Sequence, residues 1–261
     1  MNIMIYHKRR TLFIFALLII PLYAFITNSI DDYIQKGDED YSKFENLAAL
    51  DNYLEAYRLS PDSYDVLERL SRTYNDLGEE YYEYRKRDSS EIMIQQAILY
   101  SEKMMRKFPD SASTYAYLAM SYGNQALYEG GKAKIKLAHK IEKNAKRSLQ
   151  INPHQYLAYV ILGIYYRQIA DLSWFERIFA NTFLGDVPQG SFEQSIQMFK
   201  EALNIKPHTI VASFQLALTY KAMGDEKKEE NLLKELIKYP EKNFRDKFAI
   251  RKAKRRLKEL D

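Results

Sequence analysis

Four histidines and no cysteine are the first limit on the chemistry open to this chain of 261 residues. Without a thiol there is no disulfide, no thiolate nucleophile and no cysteine-based metal or iron–sulfur site. His7, His139, His154 and His208 are scattered, and the last two each follow a proline, where a helix start accounts for them. Metal-ligand spacing and a nucleophile elbow are both missing, and Gly130-Gly131-Lys132 lacks the rest of a phosphate-binding loop. The sequence points away from catalysis and cofactors and towards binding. Lys132, Lys134, Lys136, Lys140, Lys143, Lys146 and Arg147 crowd one predicted helix, and Lys252, Lys254, Arg255, Arg256 and Lys258 another. The bland reading of such runs is a solvated face. The sharper one is attraction to an anionic lipid or membrane surface, at about 1 kcal/mol per basic residue. A net charge of only +4 and the lack of a groove-reading motif argue against nucleic acid.

Those side chains need a scaffold, and composition narrows the choice. The chain is 46% hydrophobic and 28% charged, so a core can form. Few Gly and Pro interrupt it and no window alternates Val, Ile and Thr, so nearly all of it is expected to be helical. One opening recurs: Leu67-x2-Leu70-Ser71-x2-Tyr74, Tyr115-x2-Leu118-Ala119-x2-Tyr122, Tyr159-x2-Leu162-Gly163-x2-Tyr166 and Ser213-x2-Leu216-Ala217-x2-Tyr220. The third copy closes with Ser195-x3-Phe199, Ala202 and Pro207. This resembles the tetratricopeptide helix-turn-helix. The openings lie 48, 44 and 54 residues apart, against roughly 34 for a plain repeat. Each repeat is therefore extended, around Tyr81–Glu91, Tyr128–Lys136 and Leu172–Gly190 in turn.

An irregular first repeat is read from a helix over about residues 43–59, carrying Ala49-x3-Tyr53, Ala56 and Pro61 behind an acidic stretch. Pro61, Pro109, Pro153 and Pro207 each follow a helix and force a turn before the next. The tail over 244–260 sets Ile250, Ala253, Leu257 and Leu260 at helical spacing against a Lys- and Arg-rich face, which reads as a cap. The expected fold is all-α: a right-handed α-solenoid of four to five extended tetratricopeptide-like repeats with a C-terminal capping helix, over residues 29–261.

In such a solenoid the first helix of each pair faces the concave side. Spacing places Asp65, Glu68, Arg72 and Asn75 there, then Met120, then Leu157, Val160, Ile164 and Arg167, and finally Val211, Phe214, Leu218 and Lys221. The predicted groove turns from polar to apolar along the chain, and an apolar wall needs something apolar against it. The insert over 171–190 is one candidate, because Leu172, Phe175, Ile178, Phe179 and Phe183, beside Trp174, form an amphipathic stripe. An acyl chain or apolar peptide is another, with Arg167 and Lys221 at the rim taking an anionic group. Lys136, Lys140, Lys143, Arg147, Arg255 and Arg256 are the basic-surface candidates.

Residues 1–28 differ from the rest. Lys8, Arg9 and Arg10 precede an uncharged, Leu-, Ile- and Phe-rich stretch over 11–27, which stops before Asp31 and Asp32. This reads as a signal peptide or a short N-terminal membrane anchor, with the basic side in the cytosol. In a bacterium the domain would then be on the periplasmic side. On a mitochondrial outer membrane it would face the cytosol.

The insert motif Leu172-Ser173-Trp174-Phe175-Glu176-Arg177, Phe183 and Gly185 with Pro188, Ser191-Phe192-Glu193-Gln194-Ser195-Ile196, Leu216-x3-Tyr220-x3-Gly224-Asp225 and Tyr239-Pro240 resemble the regulator of microtubule dynamics family from about Tyr64 to Leu260. The resemblance implies a helical, non-enzymatic, membrane-associated protein, with microtubule association, membrane contact and lipid binding among the family's roles. Together these readings predict a membrane-associated scaffold whose concave face and insert receive an unidentified protein partner. The alternative is a lipid-binding or lipid-transfer module holding an acyl chain in the apolar half of the groove.

Overall fold

Proline sets the rhythm of the fold. The computed structural model describes residues 29–173, 177, 181–182 and 185–260, and its eleven described helices pair antiparallel between proline-marked turns. These are α1 (Ile30–Ser42) with α2 (Asn46–Leu59), α3 (Tyr64–Glu83) with α4 (Arg87–Lys107), and α5 (Ala112–Gln125) with α6 (Gly131–Ile151). Then come α7 (Tyr156–Ala170) with α8 (Phe192–Ile205), α9 (Ile210–Ala222) with α10 (Glu226–Leu236), and the single α11 (Phe244–Leu260). Pro61, Pro109, Pro153 and Pro207 fall between successive pairs and Pro240 falls before α11, where the residue ahead of each proline is barred from continuing a helix. The architecture is the expected α-solenoid, with five pairs and a capping helix.

Two differences lie at the start. The acidic stretch after Ser29 is itself a helix, α1, because Ser29 and Asp32 form a capping box, with the Asp32 amide donating to Ser29 Oγ at 3.2 Å and the Ser29 amide to Asp32 Oδ2 at 2.8 Å. Helix α2 begins at Asn46 rather than near residue 43, since Phe44 takes a left-handed φ of 65° in the α1–α2 turn. The long extensions behave as expected from their charge and Tyr content: α3 runs 20 residues and α4 and α6 run 21 each.

Packing repeats with the sequence. The second helix of each pair buries a stripe, seen as Ala49, Tyr53 and Ala56 on α2, Ala97 and Met104 on α4, and Ser195, Phe199 and Ala202 on α8. Serines on these helices bond to carbonyls of the first helix of a pair: Ser90 to Gly78, Ser148 to Ala112 and Ser195 to Gly163. Each bond satisfies a hydroxyl that burial would otherwise penalise. The small third residue of the repeat opening lets the two helices approach. At Gly163 a Cβ would lie 2.6 Å from the Phe199 ring, which is fully buried. Gly163→Ala should therefore lower stability by about 1–3 kcal/mol, despite alanine's better helix propensity. Urea unfolding measures it, and a Gly163→Ala/Phe199→Leu double variant should recover part of the loss. A neutral Gly163→Ala would mean the α7–α8 contact is looser than described.

Candidate binding groove

Helices α3, α5, α7 and α9 touch one another in sequence along the inner side of the solenoid. Helix α11 packs on α9 and α10 as a cap and also reaches back to α3. It thereby crosses the concave side and leaves a cavity of about 1570 Å³ between itself and the inner helices. The cavity has two chemically distinct halves.

The polar half lies where α3 meets α11. Arg245 places Nε 2.6 Å from Glu79 Oε2 and Nη2 2.7 Å from Asp76 Oδ1, the second a close ion contact rather than an aligned hydrogen bond. Tyr41 Oη donates to the other Asp76 oxygen at 2.7 Å, and the Arg72 guanidinium stacks 3.9 Å above the Tyr41 ring. Burial pushes the Asp76 carboxyl up, with the Arg245 charge pulling the other way. Lys252 pairs with Glu83 one turn further out. On the α3 side, Asn75 donates to Ser121 and accepts from Asn124, both at 2.9 Å, so it joins α3 to α5 instead of facing a ligand.

The apolar half is built by α7 and α9. Met120, Leu157, Val160, Ile164, Val211 and Phe214 all border the cavity, together with Leu172, Val187 and Pro188 from the two ends of the insert. Heptad-like spacing on α7 puts Leu157, Val160, Ile164 and Arg167 on one face, which is why sequence order alone finds them. Phe214 is also a member of the core shared with α10 and α11, so it holds the fold as well as the wall.

Arg167 is not at the rim. It is only 8% exposed, and its guanidinium donates to the Gln215 carbonyl at 3.1 Å and to Gln215 Oε1 at 2.7 Å. No carboxylate lies within ion-pair distance of it among the described residues, and burial pulls its pKa down to about 10, with Asp171 opposing. The guanidinium is thus a buried cation dressed by neutral acceptors in an apolar wall.

Besides Asn75, three predicted groove residues lie elsewhere: Asp65 on α3 is exposed outside the cavity, and two more are on α9. Leu218 packs against the α9–α10–α11 core and Lys221 is exposed outside the cavity. The reason is α11: its residues Ala249, Ile250 and Ala253 cover the last turns of α9, which helix spacing treats as open. Of the insert candidates, Trp174, Phe175, Ile178, Phe179 and Phe183 lie outside the described residues. The described part of the insert is anchored, since Gly190 backs onto Tyr166 and Ile169, and His139 on α6 is 3.3 Å from the Asp186 carbonyl.

The basic candidates divide in the same way. Lys136, Lys140, Lys143 and Arg147 are exposed along α6, with the Lys140 ammonium 4.7 Å from the Tyr122 ring. Arg255 is exposed on α11. Arg256 is instead a structural ion, bonding Glu229 through Nε at 2.8 Å and Nη2 at 3.1 Å. Glu229 is 1% exposed, so its carboxylate requires that partner. Sequence reasoning also missed Gln215, Tyr41, Asp76, Glu79 and Arg245. The i, i+3 spacing of Asp76 and Glu79 was a signal for a shared face, but nothing local linked it to one arginine of a basic tail.

The fold has solved counterparts. A tetratricopeptide protein of Thermus thermophilus superposes with a TM-score of 0.64 at 15% identity, covering 86% of this chain and 98% of that one. Pseudomonas aeruginosa PilF gives 0.51 at 13% identity, covering 88% and 91%. Among curated relatives, regulator of microtubule dynamics protein 1 from Bos taurus is 24% identical over 179 residues, 69% of this chain and 55% of that protein. Protein 2 of that name from Mus musculus is 22% identical over 239 residues, 88% and 56%. The chain thus spans about half the length of the curated relatives it matches. The family model described as "Regulator of microtubule dynamics protein 1-3" matches residues 26–261, and the chain belongs to that family.

Proposed function

We propose that this chain is a non-enzymatic, membrane-associated scaffold that takes an apolar segment of a partner protein, bearing an acidic group, into its concave groove. The tetratricopeptide-like fold supports an interaction role. The observation that carries the occupant's chemistry is Arg167, a buried cation bonded only to Gln215 among the described residues, set in the wall of Leu157, Val160, Ile164 and Val211. Residues 1–28, as a leader or anchor, would bring the domain to a membrane, and the exposed cations of α6 would face its anionic headgroups. Among the described residues no helix is long and apolar enough to cross a membrane. That leaves the attachment to the segment before Ser29 in this proposal.

A second reading, a lipid-binding module, is favoured by one feature. The groove is crossed by α11, and its volume of about 1570 Å³ exceeds the roughly 300–1,000 Å³ of ordinary small-ligand sites. Such a space suits acyl chains. A photo-crosslinking amino acid at position 164, compared with one at the exposed position 226 on α10, tests both readings in cells. A polypeptide adduct specific to position 164 supports the scaffold, an adduct of lipid mass supports the second reading, and equal labelling at both positions sinks the groove as a site.

Arg167 also makes a prediction about the empty protein. Because folding depresses its pKa, the charged form is penalised at every pH below about 10, and the penalty is relieved as pH rises above that value. Arg167→Met should leave the unfolding free energy unchanged or raise it by about 1 kcal/mol, while weakening uptake of an anionic apolar ligand by roughly tenfold. Denaturation and ligand titration of the same preparation give both numbers. A variant that is destabilised and binds normally would assign Arg167 a structural role alone.

A further inference from the structure

A second cleft, of about 750 Å³, opens at the seam between α3–α4 and α11, next to the polar half of the groove. Its two lips come from opposite ends of the solenoid. The α3–α4 turn supplies Arg85 and the start of α4 Arg87, and α11 supplies Arg251, Lys252 and Arg255. Among the described residues the one acid on its wall is Glu83, and that carboxylate is paired with Lys252. Arg87 sits 3.3 Å from Glu91, whereas Arg85, Arg251 and Arg255 form no ion pair among the described residues. Arg251 and Arg255 are four residues apart, so they project from the same face of α11.

A solvated basic face spreads its charges away from one another. Here three guanidiniums without an ion partner among the described residues border one concave space, Arg251 resting 4.0 Å from the Phe248 ring, and together they focus a positive potential into it. The floor is not polar: Tyr82 and Tyr128 meet edge-to-face at 5.7 Å, Arg87 lies 5.3 Å from the Tyr128 ring, and Leu127 and Tyr82 are 48% and 43% exposed. Guanidinium forks match phosphate oxygens two at a time, and exposed tyrosine offers a flat face to a ring carrying them.

We propose that this cleft is a binding site for a compact, multiply charged phosphate group, presented either by a free polyphosphate ester or by a phosphomonoester headgroup at a bilayer surface. It adjoins the polar end of the concave groove, sharing Tyr82, Glu83, Leu127 and Lys252 with it, but its arginines lie outside that groove and the proposal does not rest on what fills it. A ligand held by both lips would also tie α11 to α3.

The test uses the full-length chain and two probes, inositol hexakisphosphate in solution and phosphatidylcholine vesicles with or without phosphatidic acid. Arg251→Gln/Arg255→Gln removes one lip, Arg85→Gln probes the other, and Lys200→Gln/Lys227→Gln removes the same charge from exposed positions on α8 and α10. The expected result is saturable binding of one inositol hexakisphosphate per chain, weakened about tenfold or more by the α11 pair and by Arg85→Gln, with little change in the control. If the soluble probe fails but phosphatidic acid increases vesicle binding in the same arginine-dependent way, the headgroup is the source. Binding that falls equally in the control, or no binding to either probe, overturns the proposal. Melting curves establish that each variant is folded.

Discussion

Replacing Arg245 by alanine should destabilise the protein by about 3–5 kcal/mol and release α11 from the concave side. The expectation rests on what the arginine leaves behind. Asp76 has a side chain only 4% exposed, and among the described residues its ion partner is Arg245, with the Tyr41 hydroxyl donating to its other oxygen. Glu79 shares the same guanidinium, so the substitution leaves two carboxylates facing each other without a cation between them. Removing one partner of a buried ion network costs far more than the network itself contributes, because the remaining charge has already lost its water. Urea unfolding reads the loss, and amide exchange over 244–260 reads the release. An Asp76→Asn/Glu79→Gln background should recover much of the stability, since no charge is then stranded. A loss below about 1 kcal/mol in the single variant would mean that water reaches Asp76 and that the α3–α11 contact is a surface pair.

The second large effect lies behind the opposite wall of the cavity. Phe199 is fully buried between Gly163 of α7 and the cluster of Val160, Ala202, Ala212 and Leu216. Phe199→Ala should cost about 3–5 kcal/mol, from lost burial plus the void left beside a glycine that has no side chain to fill it. It should also loosen the α7–α9 wall that carries Val160 and Ile164. Phe199→Leu keeps most of the volume and should cost under about 1.5 kcal/mol. Comparable losses for the two variants would show that the site needs an aromatic ring for a reason other than filling space.

Much of this architecture was readable before any coordinates. The Leu/Tyr-x2-Leu-small-x2-Tyr openings follow from helix period and from the need for a small residue where two helices touch, as Gly163 against Phe199 demonstrates. Prolines mark every inter-pair turn for the steric reason that makes them poor helix interiors. The apolar wall from Leu157 to Phe214 was legible because one helix face is a local property. What was not legible depends on the curvature of the whole chain. Arg245 meets Glu79 across 166 residues, and nothing within either helix encodes that meeting. The same crossing covers Leu218 and leaves Lys221 outside the groove. Composition is equally blind to pairing: Arg255 and Arg256 are neighbours in one basic run, yet one is exposed and the other neutralises buried Glu229.

An accessible concave groove with an apolar wall and a buried cation should take up an apolar anion. Fluorescence titration of the purified 29–261 fragment with cis-parinaric acid, an acyl probe with a carboxylate, tests it most directly. Ile164→Asp and Val211→Asp serve as blocked forms, since both side chains border the cavity and are only partly buried. Saturable uptake that both substitutions abolish and Arg167→Met weakens is the predicted result. No saturable uptake, or uptake indifferent to all three changes in folded protein, would contradict the account.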